Sequence, residues 1–211
     1  MTKPEPLPET TIQRYSEADV PTEYGVFRIV VYRDSREPNV EHCAIVHGEV
    51  RGATDLLIRV HSECFTGEVL HSLKCDCREQ LDQAMRRIAE NECGAVLYLR
   101  QEGRGIGLGN KIRAYALQEQ GADTVDANLR LGFAADAREY DVATQMLADL
   151  GVESVAVLTN NPAKVEALRA DGVAVTRRVP MSVVPNQHNR DYLDTKRARM
   201  GHILKPVRGE R

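Results

Sequence analysis

Three thiols, Cys64, Cys75 and Cys77, fall within fourteen residues of a 211-residue chain that holds five cysteines in all. Their spacing is C-x10-C-x-C. A C-x-C pair aims two thiolates at one point from a tight turn, and a third returns from a loop. Three soft ligands without an obvious fourth suit Zn2+ with one coordination position open to water. A structural zinc normally closes its shell with four ligands, and His61, His71 or Asp76 could supply the fourth. The competing reading is three small buried hydrophobes. Spacing leaves both open. Cys43 and Cys93 sit in strand-like or helix-end contexts and read as core.

A second concentration of chemistry is Arg100-Gln-Glu-Gly-Arg-Gly-Ile-Gly-Leu-Gly-Asn-Lys111. It follows an apolar run and opens a helix, where backbone N–H groups and a helix N-terminus receive phosphate. It fits neither standard template. A Walker A lysine follows glycine and precedes Ser or Thr, whereas Lys111 lies between Asn110 and Ile112. The dinucleotide fingerprint needs a third glycine where this chain has Leu108 or Asn110. A phosphate cradle and a plain tight turn both remain, with Arg100, Arg104, Lys111 and Arg113 favouring the first. Asp136-Ala-Arg138 has the pattern of a surface ion pair at a helix start. Thr159-Asn-Asn-Pro-Ala-Lys164 lies at the C-terminal end of a predicted strand, the usual place for ligand loops in α/β sheets. Asn161 and Pro162 there also read as a helix cap, and the two roles are compatible.

The elements that must position these groups follow from periodicity. β-Branched runs at 25–32, 43–50 and 55–61 read as strands, the last delivering the chain to the cysteines. Leu81, Ala84, Met85 and Ile88 recur at helical spacing, and Gly94 then breaks into the buried-strand pattern 95–99. Helices are predicted near 111–120, 140–150 and 162–170, with strands at 154–158 and 173–175. This alternation predicts an α/β fold: a mixed, largely parallel sheet flanked by helices, after a β-rich N-terminal portion. Residues 1–20, rich in Pro, Glu and Thr, read as a poorly ordered lead-in. Residues 21–205 read as a single domain and 206–211 as a tail.

Composition narrows the function classes. With 42% hydrophobic and 28% charged residues and a net charge of −3, the chain lacks the basic balance of a nucleic-acid binder. No apolar run approaches the ~20 residues of a membrane span, and the first residues lack the apolar core of a signal peptide. An odd number of cysteines without secretion reads as reduced thiols in the cytoplasm.

Six blocks, taken in order, carry a resemblance: HSECFTG from His61, SLKCDC from Ser72, RQEGRGIGLGNKIRAYALQ from Arg100, DTVDAN from Asp123, LTNNPAK from Leu158 and YLDTKRARMGH from Tyr192. Together they resemble GTP cyclohydrolase II. The resemblance implies zinc-dependent hydrolysis of GTP, with the guanine imidazole ring opened at carbon 8 and formate and pyrophosphate released. The implied product is 2,5-diamino-6-ribosylamino-4(3H)-pyrimidinone 5′-phosphate, in the first committed step of riboflavin biosynthesis. It implies Cys64, Cys75 and Cys77 as zinc ligands. Arg59, Val60, His61, Ser62, Glu63, Gln80, Glu102, Gly103, Arg104, Thr124, Thr159 and Lys164 match positions that bind GTP. Asp136 matches the catalytic proton acceptor, Arg138 the proposed nucleophile and Tyr115 an active-site tyrosine. Mg2+ at the triphosphate and a homodimer are implied as well.

The chemistry agrees on the first half, because zinc lowers the pKa of bound water to ~7. It strains on the second. Arginine stays protonated, with a pKa above ~12, so a nucleophilic Arg138 needs strong help, and clamping a phosphate is the simpler role. Gly109 departs from the family's usual leucine and Arg78 from its usual glycine. The N-terminal extension is too short for an attached dihydroxybutanone-phosphate synthase domain, which predicts the single-activity form. Two alternatives stand beside the full reaction: a variant that stops at the formamidopyrimidine nucleotide, and a non-catalytic GTP-binding zinc protein.

Overall fold

The computed structural model describes residues 12–134 and 136–204. Seven strands form one sheet: β1 (Ile12–Thr22), β2 (Gly25–Asp34), β3 (Glu41–His47), β4 (Leu56–Ser62), β5 (Gly94–Leu99), β6 (Val155–Leu158) and β7 (Val175–Val179). Their order is β1-β2-β3-β5-β4-β6-β7. The first three strands and the β3–β5 junction are antiparallel, while β5, β4, β6 and β7 run parallel. The β-rich N-terminal portion is therefore the antiparallel wing of a mixed sheet, as its composition predicts.

Burial explains the division. In β3, His42, Ala44 and Val46 are buried while their neighbours are partly exposed, the alternation of an antiparallel strand with one wetter face. β6 is buried at all four positions and β5 at all but one, as parallel strands covered on both sides must be. On one face pack α5 (Asp141–Leu150) and α6 (Pro162–Ala170), which place Val142, Ala143, Met146, Leu147, Leu150, Val165 and Leu168 in the larger core. On the other lies α2 (Cys77–Ala89), whose Ala84, Met85 and Ile88 meet Phe27, Val96, Ala156 and Leu158. Gly151, at φ 72°, ends α5 in the left-handed conformation that glycine adopts without penalty.

One expectation is corrected. Residues 12–20 are no loose lead-in but most of β1, which pairs with β2 from Ile12↔Asp34 to Thr22↔Gly25. The strand is exposed along nearly its whole length, so it forms by backbone pairing, and apolar alternation could not announce it. Residues 1–11 and the tail at 206–211 lie outside the described residues. The last predicted strand begins two residues later, at Val175.

From β4 the chain crosses to β5 on one side and later to β6 on the other. A crevice opens outside the carboxyl ends of parallel strands at such a reversal. Around it stand α1 (Phe65–Glu68), α3 (Gly107–Glu119), α4 (Thr124–Arg130) and α7 (Arg190–Arg199).

Candidate active site

The crevice is an open pocket, about 1000 Å3 with the solvent-filled space at its mouth included. Every site residue implied by the resemblance lines it except Val60 and Asp136, whereas Arg100 and Arg113 turn away to Glu63 and Asn110 and His71 lies outside the lining. Val60 is buried in the main core, and its backbone carbonyl accepts a 2.8 Å hydrogen bond from Lys164 Nζ. Asp136 reaches the pocket through Arg138.

The three thiols converge. The Sγ atoms of Cys64, Cys75 and Cys77 all lie within 4.8 Å of one another, with Cys64 and Cys75 3.7 Å apart. Thiolates at a Zn–S distance of ~2.3 Å on a tetrahedron would be ~3.8 Å apart, so the cluster has the size and softness for zinc. Sequence left metal ligands and buried thiols as alternatives; the thiols are both clustered and largely buried. Hydrogen bonds from Cys75 and Cys77 and the nearby Lys111 ammonium, 3.1 Å from Cys64 Sγ, push the Cys64 thiol far down. That thiolate then pushes the Cys75 and Cys77 thiols up. A cation bound among them would favour the ionised form of all three. Gly67 backs the cluster: a Cβ there would sit 2.9 Å from Cys75 Sγ and 3.2 Å from Cys64 Sγ.

Strand β4 supplies the floor. Arg59 and His61, two residues apart, project to the same face. Arg59 donates to the Leu158 carbonyl and to Gln80 Oε1, and burial draws its guanidinium down to about 10. His61 Nε2 lies 2.8 Å from Glu68 Oε1, Tyr98 donates to the other Glu68 oxygen at 2.6 Å, and the His61 and Tyr98 rings stack. Arg59 Nε, His61 Nδ1 and Ser62 Oγ are buried with no hydrogen-bond partner among the described residues. Three orphaned groups within four residues, all on residues that line the cavity, mark where a polar ligand belongs.

The glycine turn arranges the opposite wall. Gly103, Arg104, Gly105 and Gly107 all have positive φ, between 63° and 88°. Left-handed backbone at the non-glycine Arg104 is the kind of local strain found at functional sites. Arg104 accepts a backbone hydrogen bond from Ala137, and a Cβ on Gly105 would lie 3.0 Å from the Ala137 carbonyl oxygen. The turn thus grips the loop carrying Asp136 and Arg138. Glu102 accepts from Phe65 N, Gly103 N and Lys111 Nζ, tying turn, α1 and α3 together. Tyr115 on α3 places its hydroxyl 3.5 Å from Thr66 Oγ1, beside the thiols, and burial keeps it protonated.

Charge is the pocket's dominant feature. Arg59, Arg104, Lys111, Arg138, Lys164 and Lys196 line it in a chain whose net charge is −3. Arg138 meets Asp136 through Nε–Oδ1 at 2.8 Å and Nη2–Oδ2 at 2.5 Å. Burial opposes charge on both, but these bonds prevail, holding the carboxyl low and the guanidinium high. Among the described residues Lys164 has no carboxylate partner, and its Nζ donates only to the Val60 carbonyl. Burial, then Arg59 and Arg138, press its pKa well below the lysine range.

Sequence similarity accounts for this constellation. The GTP cyclohydrolase II family profile matches residues 13–180. The chain belongs to the GTP cyclohydrolase II family. GTP cyclohydrolase-2 of Actinobacillus succinogenes is 52% identical over 92% of this chain and 88% of its own length. GTP cyclohydrolase-2 of Picrophilus torridus is 47% identical over 92% of this chain and its whole length. The riboflavin biosynthesis protein RibBA of Endomicrobium trichonymphae matches at 47% over 94% of this chain and 49% of its own.

For a GTP cyclohydrolase II, the residue-level expectations omitted one wall of the pocket. Tyr192, Lys196, Met200 and His202 line it from α7 and the segment after it, as do Asn128 and Asn160. All six fall in the sequence blocks that carry the resemblance. Nothing in their type marked them apart from it.

Proposed function

We propose that this chain hydrolyses GTP at carbon 8 of guanine, opening the imidazole ring and releasing formate and pyrophosphate. The product on this reading is 2,5-diamino-6-ribosylamino-4(3H)-pyrimidinone 5′-phosphate, on the route to riboflavin. One observation carries the proposal: a thiol cluster suited to a soft cation opens into the same pocket as Arg59, Arg104, Lys111, Arg138, Lys164 and Lys196. A ring-opening centre and a polyphosphate receptor are thereby side by side.

Zinc held by Cys64, Cys75 and Cys77 would supply Lewis acidity for the attack of water on the purine ring. The rest is the work of the chain. Lys164, Arg59, Arg104 and Lys111 supply positive charge for a triphosphate, with Mg2+ bound to the nucleotide sharing that task. His61 Nδ1 and Ser62 Oγ offer unsatisfied groups for hydrogen bonds to the substrate. Tyr115, protonated and close to the thiols, is placed to give or return a proton during ring opening. Asp136 serves as the proton acceptor of the phosphate half-reaction, taking a proton from the water that attacks the α-phosphorus as pyrophosphate leaves. Its fork on Arg138 favours the guanidinium as a clamp on the α-phosphate, since a nucleophilic nitrogen would first have to lose its proton to Asp136.

The same reading makes the active form a homodimer in the cytoplasm. All five cysteines are free, which suits a reducing compartment. Among the described residues no helix is long and apolar enough to cross a membrane.

The test is incubation of purified protein with GTP, Zn2+ and Mg2+, with formate and pyrophosphate assayed separately. Both should appear in equal amounts, and Cys77→Ser should abolish formate. Formate release by Cys77→Ser at the wild-type rate would sink the metal reading. Pyrophosphate without formate would replace the ring-opening assignment. Rapid quench with α-32P-labelled GTP should leave no label on the protein if Arg138 is only a clamp.

A further inference from the structure

We propose that Lys196 on α7 and Asp76 between the two closely spaced cysteines form a positioning pair. The C-terminal helix fixes the metal-binding knuckle, and the knuckle fixes the helix over the pocket. The inference rests on reading the thiol cluster as a zinc site.

Asp76 is 0% exposed and Lys196 is 8% exposed, and Lys196 Nζ donates to Asp76 Oδ1 at 2.7 Å. Asp76 stands at the N-cap of α2, where a carboxylate ordinarily accepts from the helix's own amides. Here the side chain makes no capping hydrogen bond. Its second oxygen instead accepts from Gln80 Nε2 at 2.5 Å, and Gln80 Oε1 accepts from Arg59 on β4. One unbroken run of hydrogen bonds thus leads from α7, past the thiols, to the floor of the substrate pocket.

Stability is a weak reason for such a pair, because desolvating two charges offsets most of their attraction. Its geometric consequence is stronger. Asp76 belongs to the two-residue step that sets where Cys75 and Cys77 point, and partners one layer out from a metal orient its ligands. α7 also needs the pair. Leu193 and Lys196 are its only buried residues, so little apolar surface holds the helix down. Tyr192 covers the ammonium, with Nζ 4.3 Å from the ring centroid. His202 N then bonds the Lys196 carbonyl, and Ile203 N the Asn160 carbonyl, which draws the following segment across the pocket.

Energetic coupling is reciprocal, so both directions can be measured on the full-length protein. Lys196→Met should weaken zinc affinity by about 10- to 100-fold in competition with a chromophoric chelator. Chelating zinc from the wild type should speed hydrogen exchange of amides 190–203. Should Lys196→Met fold poorly, Asp76→Asn keeps the size and an acceptor and should show the same loss. Wild-type zinc affinity in a folded variant would overturn the pair, above all if GTP binding alone were lost, which would make Lys196 a substrate ligand. Equal exchange of α7 with and without zinc would overturn it too. Wild-type protein that takes up no zinc would instead refute the zinc site itself.

Discussion

Arg138 and Asp136 meet side by side, two nitrogens on two oxygens, at the mouth of a pocket otherwise crowded with cations. The pair is only partly enclosed, with the Asp136 side chain 33% and the Arg138 side chain 13% exposed. It is therefore open to a ligand from one side and braced from the other by the glycine turn. A carboxylate that forks a guanidinium fixes its plane and keeps it charged, and both effects are required of a phosphate clamp.

Asp136→Asn should consequently lower kcat by about 10²-fold, the scale for losing a positioned acid–base group, with a smaller change in KM. Steady-state pyrophosphate release checks this. An unchanged kcat would reduce the pair to a surface contact.

Lys164 is expected to behave in the opposite sense for stability. It is a buried cation without a carboxylate, pressed by Arg59 and Arg138. Lys164→Met should stabilise the free protein by on the order of 1 kcal/mol, read as a higher thermal midpoint, while weakening GTP binding at least tenfold. A lower midpoint with unchanged GTP affinity would show that the charge serves the fold.

Gly67→Ala introduces a methyl group 2.9 Å from Cys75 Sγ. A helical alanine normally gains about 1 kcal/mol over glycine. Here the thiols have to move instead, and zinc retention against a chelator should fall while the fold persists. Wild-type retention would mean that the cluster tolerates more room than it has.

His202 gives a pH signature. Burial lowers its pKa from 6.5 to about 4, aided by Lys196, Arg138 and Lys164. In the folded protein the ring stays neutral where the unfolded chain protonates it, so stability present above pH ~6.5 is lost as pH falls toward ~4. His202→Asn should flatten that part of a pH-dependent denaturation series. An identical slope in the variant would assign the acid sensitivity elsewhere.

Much of this arrangement was legible in the sequence where side-chain type or spacing encodes position. The C-x10-C-x-C spacing admitted convergence as one of two readings, and the run of glycines foretold a turn whose backbone only glycine readily adopts. Helix α6 was marked at its start by Asn161, whose side chain caps it as expected. Two parts were not legible, each for a physical reason. Strand β1 is exposed on both faces and forms through backbone pairing. Helix α7 carries no apolar stripe and docks through Leu193, the Lys196–Asp76 pair and the contacts of Arg199 with Asp123 and Asp126.

The Lys196–Asp76 contact spans 120 positions, and this has a consequence for biogenesis. Synthesis runs from the N-terminus, so the cysteines and Asp76 leave the ribosome well before α7 exists. A nascent chain can gather its thiols early, yet Asp76 must wait beside them without its lysine until α7 emerges. Completion of the pocket is thereby deferred until α7 has been made, and a chain cut short before residue 196 would carry its cysteines without the lysine that closes over them.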